Sequence, residues 1–207
     1  MKQLIRTSIK KIVSFIPLAW IEKILVFKMG YPVISYGPDG EDVILRNMSG
    51  INIDAMPGSM TLFNKERPRD INLEIGISEK PATLTYHMFE EQAYNTFSEM
   101  LATSYMNTGH VRCKKIRINT LPLSTILDTY IKPSQKIDLL SIDVEGYDMA
   151  VLRSNNWNTY RPRVIAIEDI GFNTEAPHTS EIFNFLKNQG YHLEVATPKT
   201  LFFRIQK

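Results

Sequence analysis

One cysteine in 207 residues excludes two kinds of cross-linked architecture at once. Cys113 can close no internal disulfide and cannot supply a zinc site built on cysteine pairs, and its isolation fits a reducing, cytoplasmic setting. Charge of one sign is equally scarce, with 24 Lys and Arg against 22 Asp and Glu for a formal net of +2. Without a dense basic stripe interleaved with aromatics, the chain has no electrostatic footprint for nucleic acid, and none is expected as a partner. Long apolar runs are missing too. Residues 12–21 are interrupted by Pro17, followed by Glu22 and Lys23, and lack a small-residue cleavage site, so they read neither as a membrane span nor as a secretory signal. The four histidines, His87, His110, His178 and His192, have no metal-ligand spacing, and no metal is expected on them. No repeat, low-complexity tract or linker divides the sequence, and its length suits one domain with a substantial core.

What is present begins with an amphipathic pattern. Ile5, Ile9, Ile12, Val13 and Ile16 recur at helical spacing among Lys2, Arg6, Lys10 and Lys11, which predicts a basic amphipathic helix. Such a helix either packs on its own domain or rests on an anionic bilayer, and the second case would place peripheral membrane contact in residues 1–25.

Beyond a turn at 37–40 and a short helix at 41–48, apolar strand candidates recur at 51–54, 71–78, 137–144, 164–168, 191–196 and 201–205. Helical patterns at 59–66, 121–130, 148–154 and 180–189 separate several of them, an alternation that predicts a doubly wound α/β sheet. The last two strands lie close together across Thr197-Pro198-Lys199-Thr200, which fits an antiparallel hairpin finishing a mainly parallel sheet.

The run Ile137, Leu139, Leu140, Ile142, Val144 is too continuous for a strand with one wet face and suits one covered on both sides. Asp143 and Glu145 then stand at its carboxyl end, the side of an open α/β sheet that borders the ligand crevice. Being two apart, they lean to the same side wherever the chain stays extended. A paired acid cluster in a crevice binds polyols, holds a cation or abstracts a proton. In the plainer alternative, Asp148 or Glu145 complements the next helix N-terminus while Gly146 allows the turn.

Read together, Ser35-Tyr36-Gly37-Pro38-Asp39-Gly40-Glu41-Asp42, Ile51-Asn52-Ile53-Asp54-Ala55, Arg67-Pro68-Arg69-Asp70-Ile71-Asn72-Leu73, Asn95-Thr96-Phe97-Ser98 and Ile142-Asp143-Val144-Glu145-Gly146-Tyr147 resemble the FkbM family of S-adenosylmethionine-dependent O-methyltransferases. The resemblance implies a Rossmann-like methyltransferase fold over residues 35–207, preceded by a helical extension at 1–34. It also implies methyl transfer from S-adenosylmethionine to a hydroxyl of a saccharide or another polyhydroxylated molecule, as in polysaccharide biosynthesis. Carried over by position, Asp54 matches the acid that accepts hydrogen bonds from the cofactor ribose, and Ser78 falls in the region bordering the adenine. Asp143 and Glu145 match the acidic signature beside the transferred methyl. Glu168, ending Val164-Ile165-Ala166-Ile167-Glu168, and His178, in the loop that follows, are candidate contacts to the acceptor.

One departure from the family pattern is large. Between the Gly-Glu-Asp helix and Gly50-Ile51-Asn52-Ile53-Asp54 the pattern calls for a first strand, a glycine-containing turn and a helix, yet Asn47-Met48-Ser49 runs directly into Gly50. A strand–turn–helix unit takes on the order of 30 residues. The central strand and cofactor loop are therefore expected to be missing, which sets a non-catalytic binding or interaction module beside the enzyme as the second expectation. A hydrolase with a divalent cation on the same acids comes last, having no motif of its own.

Overall fold

Short apolar runs bounded by turn residues form most of the strands of this protein, which a computed structural model describes over residues 49–109, 112–132 and 134–206. The expected helix within 1–34, the turn at 37–40 and the helix at 41–48 lie outside the described residues.

Strand β1, Ile51–Asp54, is followed by helix α1, Met60–Glu66, and by β2, Ile71–Glu74. The two strands pair in parallel, Ile51 opposite Ile71 through Asp54 opposite Glu74. The run expected as one strand over 71–78 then divides. Ile75 N donates to Asp54 O at 3.0 Å, closing the first ladder, and the chain crosses into β3, Gly76–Ile77, which belongs to a different sheet. Gly76 makes this crossing sterically feasible, since a Cβ there would stand 2.7 Å from both Phe97 and Thr120.

The second sheet contains β3, β4 (Ala82–Phe89) and β5 (Cys113–Leu121), with helix α2, Glu99–Asn107, inserted between the long strands. Strand β5 is central: parallel to β3 and antiparallel to β4 from Ala82 opposite Thr120 to Phe89 opposite Cys113. Ser98 caps α2, its Oγ accepting from Leu101 N at 3.3 Å.

Helix α3, Leu123–Tyr130, leads to β6, Leu139–Ile142, then α4, Asp148–Ser154, β7, Val164–Glu168, α5, Glu181–Asn188, β8, Tyr191–Ala196, and β9, Thr200–Ile205. The four strands lie in the order β6-β7-β9-β8, with β6 and β7 parallel and β9 antiparallel to both its neighbours. Ile165, Ile167, Leu201 and Phe203 are fully buried against Leu123, Leu127, Leu152 and Leu186 of the helices, so this sheet carries the main core. Among the described residues the α/β alternation therefore yields one parallel and two mixed small sheets where a single doubly wound sheet is expected. With β1 and β6 each at the end of its own sheet, nothing described pairs the β1–β2 ladder to the four-stranded one.

Candidate active site

Strand β6 ends at Ile142, and the chain leaves it through Asp143, Val144, Glu145 and Gly146. Glu145 takes φ +49° and Gly146 φ +79°, so the segment turns tightly into α4 instead of staying extended. Asp148 holds that turn. Its Oδ1 accepts from Val144 N at 3.3 Å and its Oδ2 from Gly146 N at 3.1 Å, with the side chain buried. Of the two acids considered for complementing the helix start, Asp148 does so. Burial pushes its carboxyl up, and the backbone NH groups pull it back.

Glu145 is thereby directed elsewhere. Tyr105 Oη donates to Glu145 Oε2 at 3.2 Å, and Thr96 Oγ1 donates to the Glu145 carbonyl at 2.7 Å. Asp143, Glu145 and Glu168 offer carboxylate oxygens that all lie within 4.8 Å of one another. Adjacent parallel strands explain the meeting, because Ile142 of β6 is paired with Ile167 of β7 and both chains reach their acids just past that rung. Asp143 and Glu145 thus converge as expected, but through a left-handed turn.

Close acids in partial burial resist ionisation. Burial and then the Asp143 charge raise Glu145, while the Tyr105 hydroxyl offsets part of this. Glu168 is raised from 4.5 to about 7, first by burial and then by Asp143, Glu145 and Asp148, with Lys199 opposing. Tyr105, half-buried beside Glu145, is raised to about 12, first by burial and then by the Glu145 charge.

A cavity of about 410 Å³ joins the ends of β1 and β6. Asn52, Asp54 and Met56 line one side, Asp143, Val144, Glu145 and Tyr147 the other, and Phe63, Tyr86, Asn95 and Phe97 complete the wall. Phe97 stacks between Tyr86 at 4.7 Å and Tyr147 at 5.6 Å. No lysine, arginine or histidine is among the described lining residues, so the cavity is acidic and aromatic. Asp54 also holds the turn after β1, its Oδ1 accepting from Met56 N at 2.8 Å, and it stays on the cavity wall.

Two candidates stand apart. The Ser78 hydroxyl is buried against Lys80 O at 2.7 Å and Thr120 Oγ1 at 2.5 Å, and Ser78 does not line the cavity. His178 is exposed in the single 3₁₀ turn Pro177–Thr179, where its carbonyl accepts from Asn184 Nδ2 at 2.7 Å. Tyr86, Phe97 and Tyr105 are site residues that composition did not single out. Only Phe97 carried a signal, inside the Asn95-Thr96-Phe97-Ser98 motif.

Strand-end acids around an acidic, aromatic cleft are a donor set that could take a small polar or cationic molecule on an α/β scaffold. The comparisons narrow the class. Residues 38–193 match the domain model described as methyltransferase FkbM domain, and the chain belongs to that family. Among solved structures it is similar to the crystal structure of methyltransferase FkbM from Methylobacillus flagellatus KT, at 12% identity and a TM-score of 0.43, over 86% of this chain and 46% of that one. A search of curated proteins returned no match.

Proposed function

We propose that the protein transfers a methyl group from S-adenosylmethionine to a hydroxyl of a saccharide or similar polyhydroxylated small molecule. The observation that carries this reading is the cavity running from Asp54 to Asp143 and Glu145 with Tyr86, Phe97 and Tyr147 in its wall. Its donor set fits a hydroxylated cation: carboxylates and aromatic faces attract positive charge, and a lining without basic residues disfavours a phosphate-bearing cofactor. When bound, S-adenosylmethionine supplies an electrophilic methyl on a sulfonium. Asp54 would hold its ribose hydroxyls, and the aromatic wall would face the charged sulfur. Asp143 and Glu145, at the other end, would orient the acceptor hydroxyl and favour its approach along the line of displacement.

Weak donor affinity goes with this reading. On the reading that the family's first strand and glycine turn are missing between Asn47 and Asp54, the methionine end would lose the backbone contacts such a turn provides. Calorimetric titration with millimolar S-adenosylmethionine, followed by thermal melts, tests the reading. Heat and stabilisation are expected for the wild type. Asp54→Ala should weaken binding roughly tenfold or more, the equivalent of about 1.4 kcal/mol, whereas Asp143→Ala should retain binding and lose transfer. Absence of both heat and stabilisation in the wild type would leave the non-catalytic module as the better account.

A further inference from the structure

We infer that Glu168 is the proton acceptor of this site, an assignment that rests on the methyl-transfer reading and divides the labour among its carboxylates. Four acids stand close together: Asp143 is exposed to solvent, and hydrogen bonds separate the other three. Asp148 spends both carboxylate oxygens on the backbone of the β6–α4 turn. Glu145 is tethered by Tyr105 through its side chain and by Thr96 through its carbonyl. Glu168 accepts no hydrogen bond and forms no ion pair with the described residues, while lying within 4.8 Å of Asp143 and Glu145. A donor stabilises the charged form of a carboxylate and weakens it as a base, so the acid without donors keeps the greatest proton affinity.

Position supports the same division. Glu168 closes β7, the rigid central neighbour of β6, with Thr200 opposite it and Asp169 N bonded to Lys199 O at 2.8 Å. It does not line the cavity that holds Asp54, although Asp143 and Glu145 do. That places it on the acceptor's side of the acid pair, where a hydroxyl proton must leave. The charged and titratable groups that face it are Asp143 and Glu145 from the β6–α4 turn, Asp148 from α4, Lys199 from the β8–β9 connection and Tyr105 from α2. Burial, and then three negative neighbours against one lysine, hold the proton affinity near neutrality, the range in which a base works at physiological pH.

In the step itself the acceptor oxygen bonds to the methyl carbon as its proton passes to Glu168. The electron pair of the broken carbon–sulfur bond stays on sulfur, and neutral Glu168 then releases the proton to solvent.

The test joins a titration of the unliganded full chain to turnover. Carbon-13 NMR of glutamate-labelled protein should show a side-chain carboxyl with a midpoint near 7 that disappears in Glu168→Gln. The variant should bind S-adenosylmethionine by calorimetry with affinity within about twofold of wild type. With radiolabelled donor and a pool of monosaccharide methyl glycosides as probes, it should lose roughly 10²–10⁴-fold in transfer and lose the acid limb of the pH–rate profile. The assignment is overturned if no glutamate titrates above about pH 6, if Glu168→Gln transfers methyl at the wild-type rate, or if chelation by EDTA abolishes wild-type transfer. Failure of the wild type to bind S-adenosylmethionine refutes the methyl-transfer reading instead, and the carboxyl titration still decides whether Glu168 holds its proton near neutrality.

Discussion

Replacing Glu168 by glutamine should make the fold more stable, but only where the native side chain is charged. Its carboxyl is raised from 4.5 to about 7 by burial and by Asp143, Glu145 and Asp148. A carboxyl with a raised folded-state pKa favours folding least when ionised. Below about pH 4.5 both folded and unfolded chains carry the proton and nothing is lost. Between 4.5 and about 7 the unfolded chain gives the proton up while the folded one retains it, so stability falls with rising pH and then levels off. The full gap corresponds to roughly 3 kcal/mol at ~1.36 kcal/mol per pH unit. Glu168 keeps part of its surface in water, and screening reduces the expected effect to about 1–2 kcal/mol. In a domain of this size that is a rise in Tm of about 3–6 °C. Thermal and urea unfolding of wild type and Glu168→Gln near pH 8 and near pH 4 measures it. Stabilisation near pH 8 that vanishes near pH 4 is expected. Equal effects at both values, or destabilisation near pH 8, would refute the argument that repulsion and desolvation are stored at this strand end.

Two further substitutions examine the supports of the site. Gly146→Ala forces a φ of +79° on a residue with a Cβ and drives that atom into the Leu101 side chain; a loss of about 1–2 kcal/mol by urea unfolding is expected, and a neutral result would show that the turn relaxes freely. Leu152→Ala empties a fully buried position between α4 and the four-stranded sheet, and should cost about 2–5 kcal/mol in the same measurement.

The elements legible in the sequence are those with continuous apolar runs or strong helical periodicity. Expected strands 51–54, 164–168 and 191–196 coincide with β1, β7 and β8, and helix 148–154 with α4. Strand β7 is buried along most of its length and α4 along one stripe, so there local pattern and tertiary demand agree. Strands β4 and β5 carry a signal of the other kind. Ala82-Thr83-Leu84-Thr85-Tyr86 and Lys115-Ile116-Arg117-Ile118-Asn119 alternate polar and apolar, the period-2 mark of a strand with one wet face, in a chain read for continuous parallel-sheet runs. Helix α2 buries only Ala102 and so carries little apolar periodicity, although Ser98 caps it and Glu99 opens its first turn. At the site, the Asp143, Glu145 and Glu168 convergence was legible because strand ends are sequence landmarks. The hydroxyls of Thr96 and Tyr105 were not, because they reach Glu145 across 49 and 40 residues of chain.

Those long-range contacts alter how the site must be understood. Asp54 comes from the β1–β2 pair and the three acids from the four-stranded sheet, and the described ladders do not join the two. The second sheet and α2 supply what the missing backbone pairing does not. Phe97 packs on Tyr147 and Tyr86, Thr96 and Tyr105 bond Glu145, Asn95 Nδ2 reaches Met56 Sδ at 3.4 Å, and Leu101 lies against Gly146. The residues from Asn95 to Tyr105 therefore touch both banks of the cavity, one through Met56 and the other through Glu145 and Gly146. Donor affinity, set at Asp54, and proton chemistry, set at Glu145 and Glu168, are separable by mutation at those residues. They are coupled in this short segment, where a single packing change moves the wall of the cavity and the tether of its acid together.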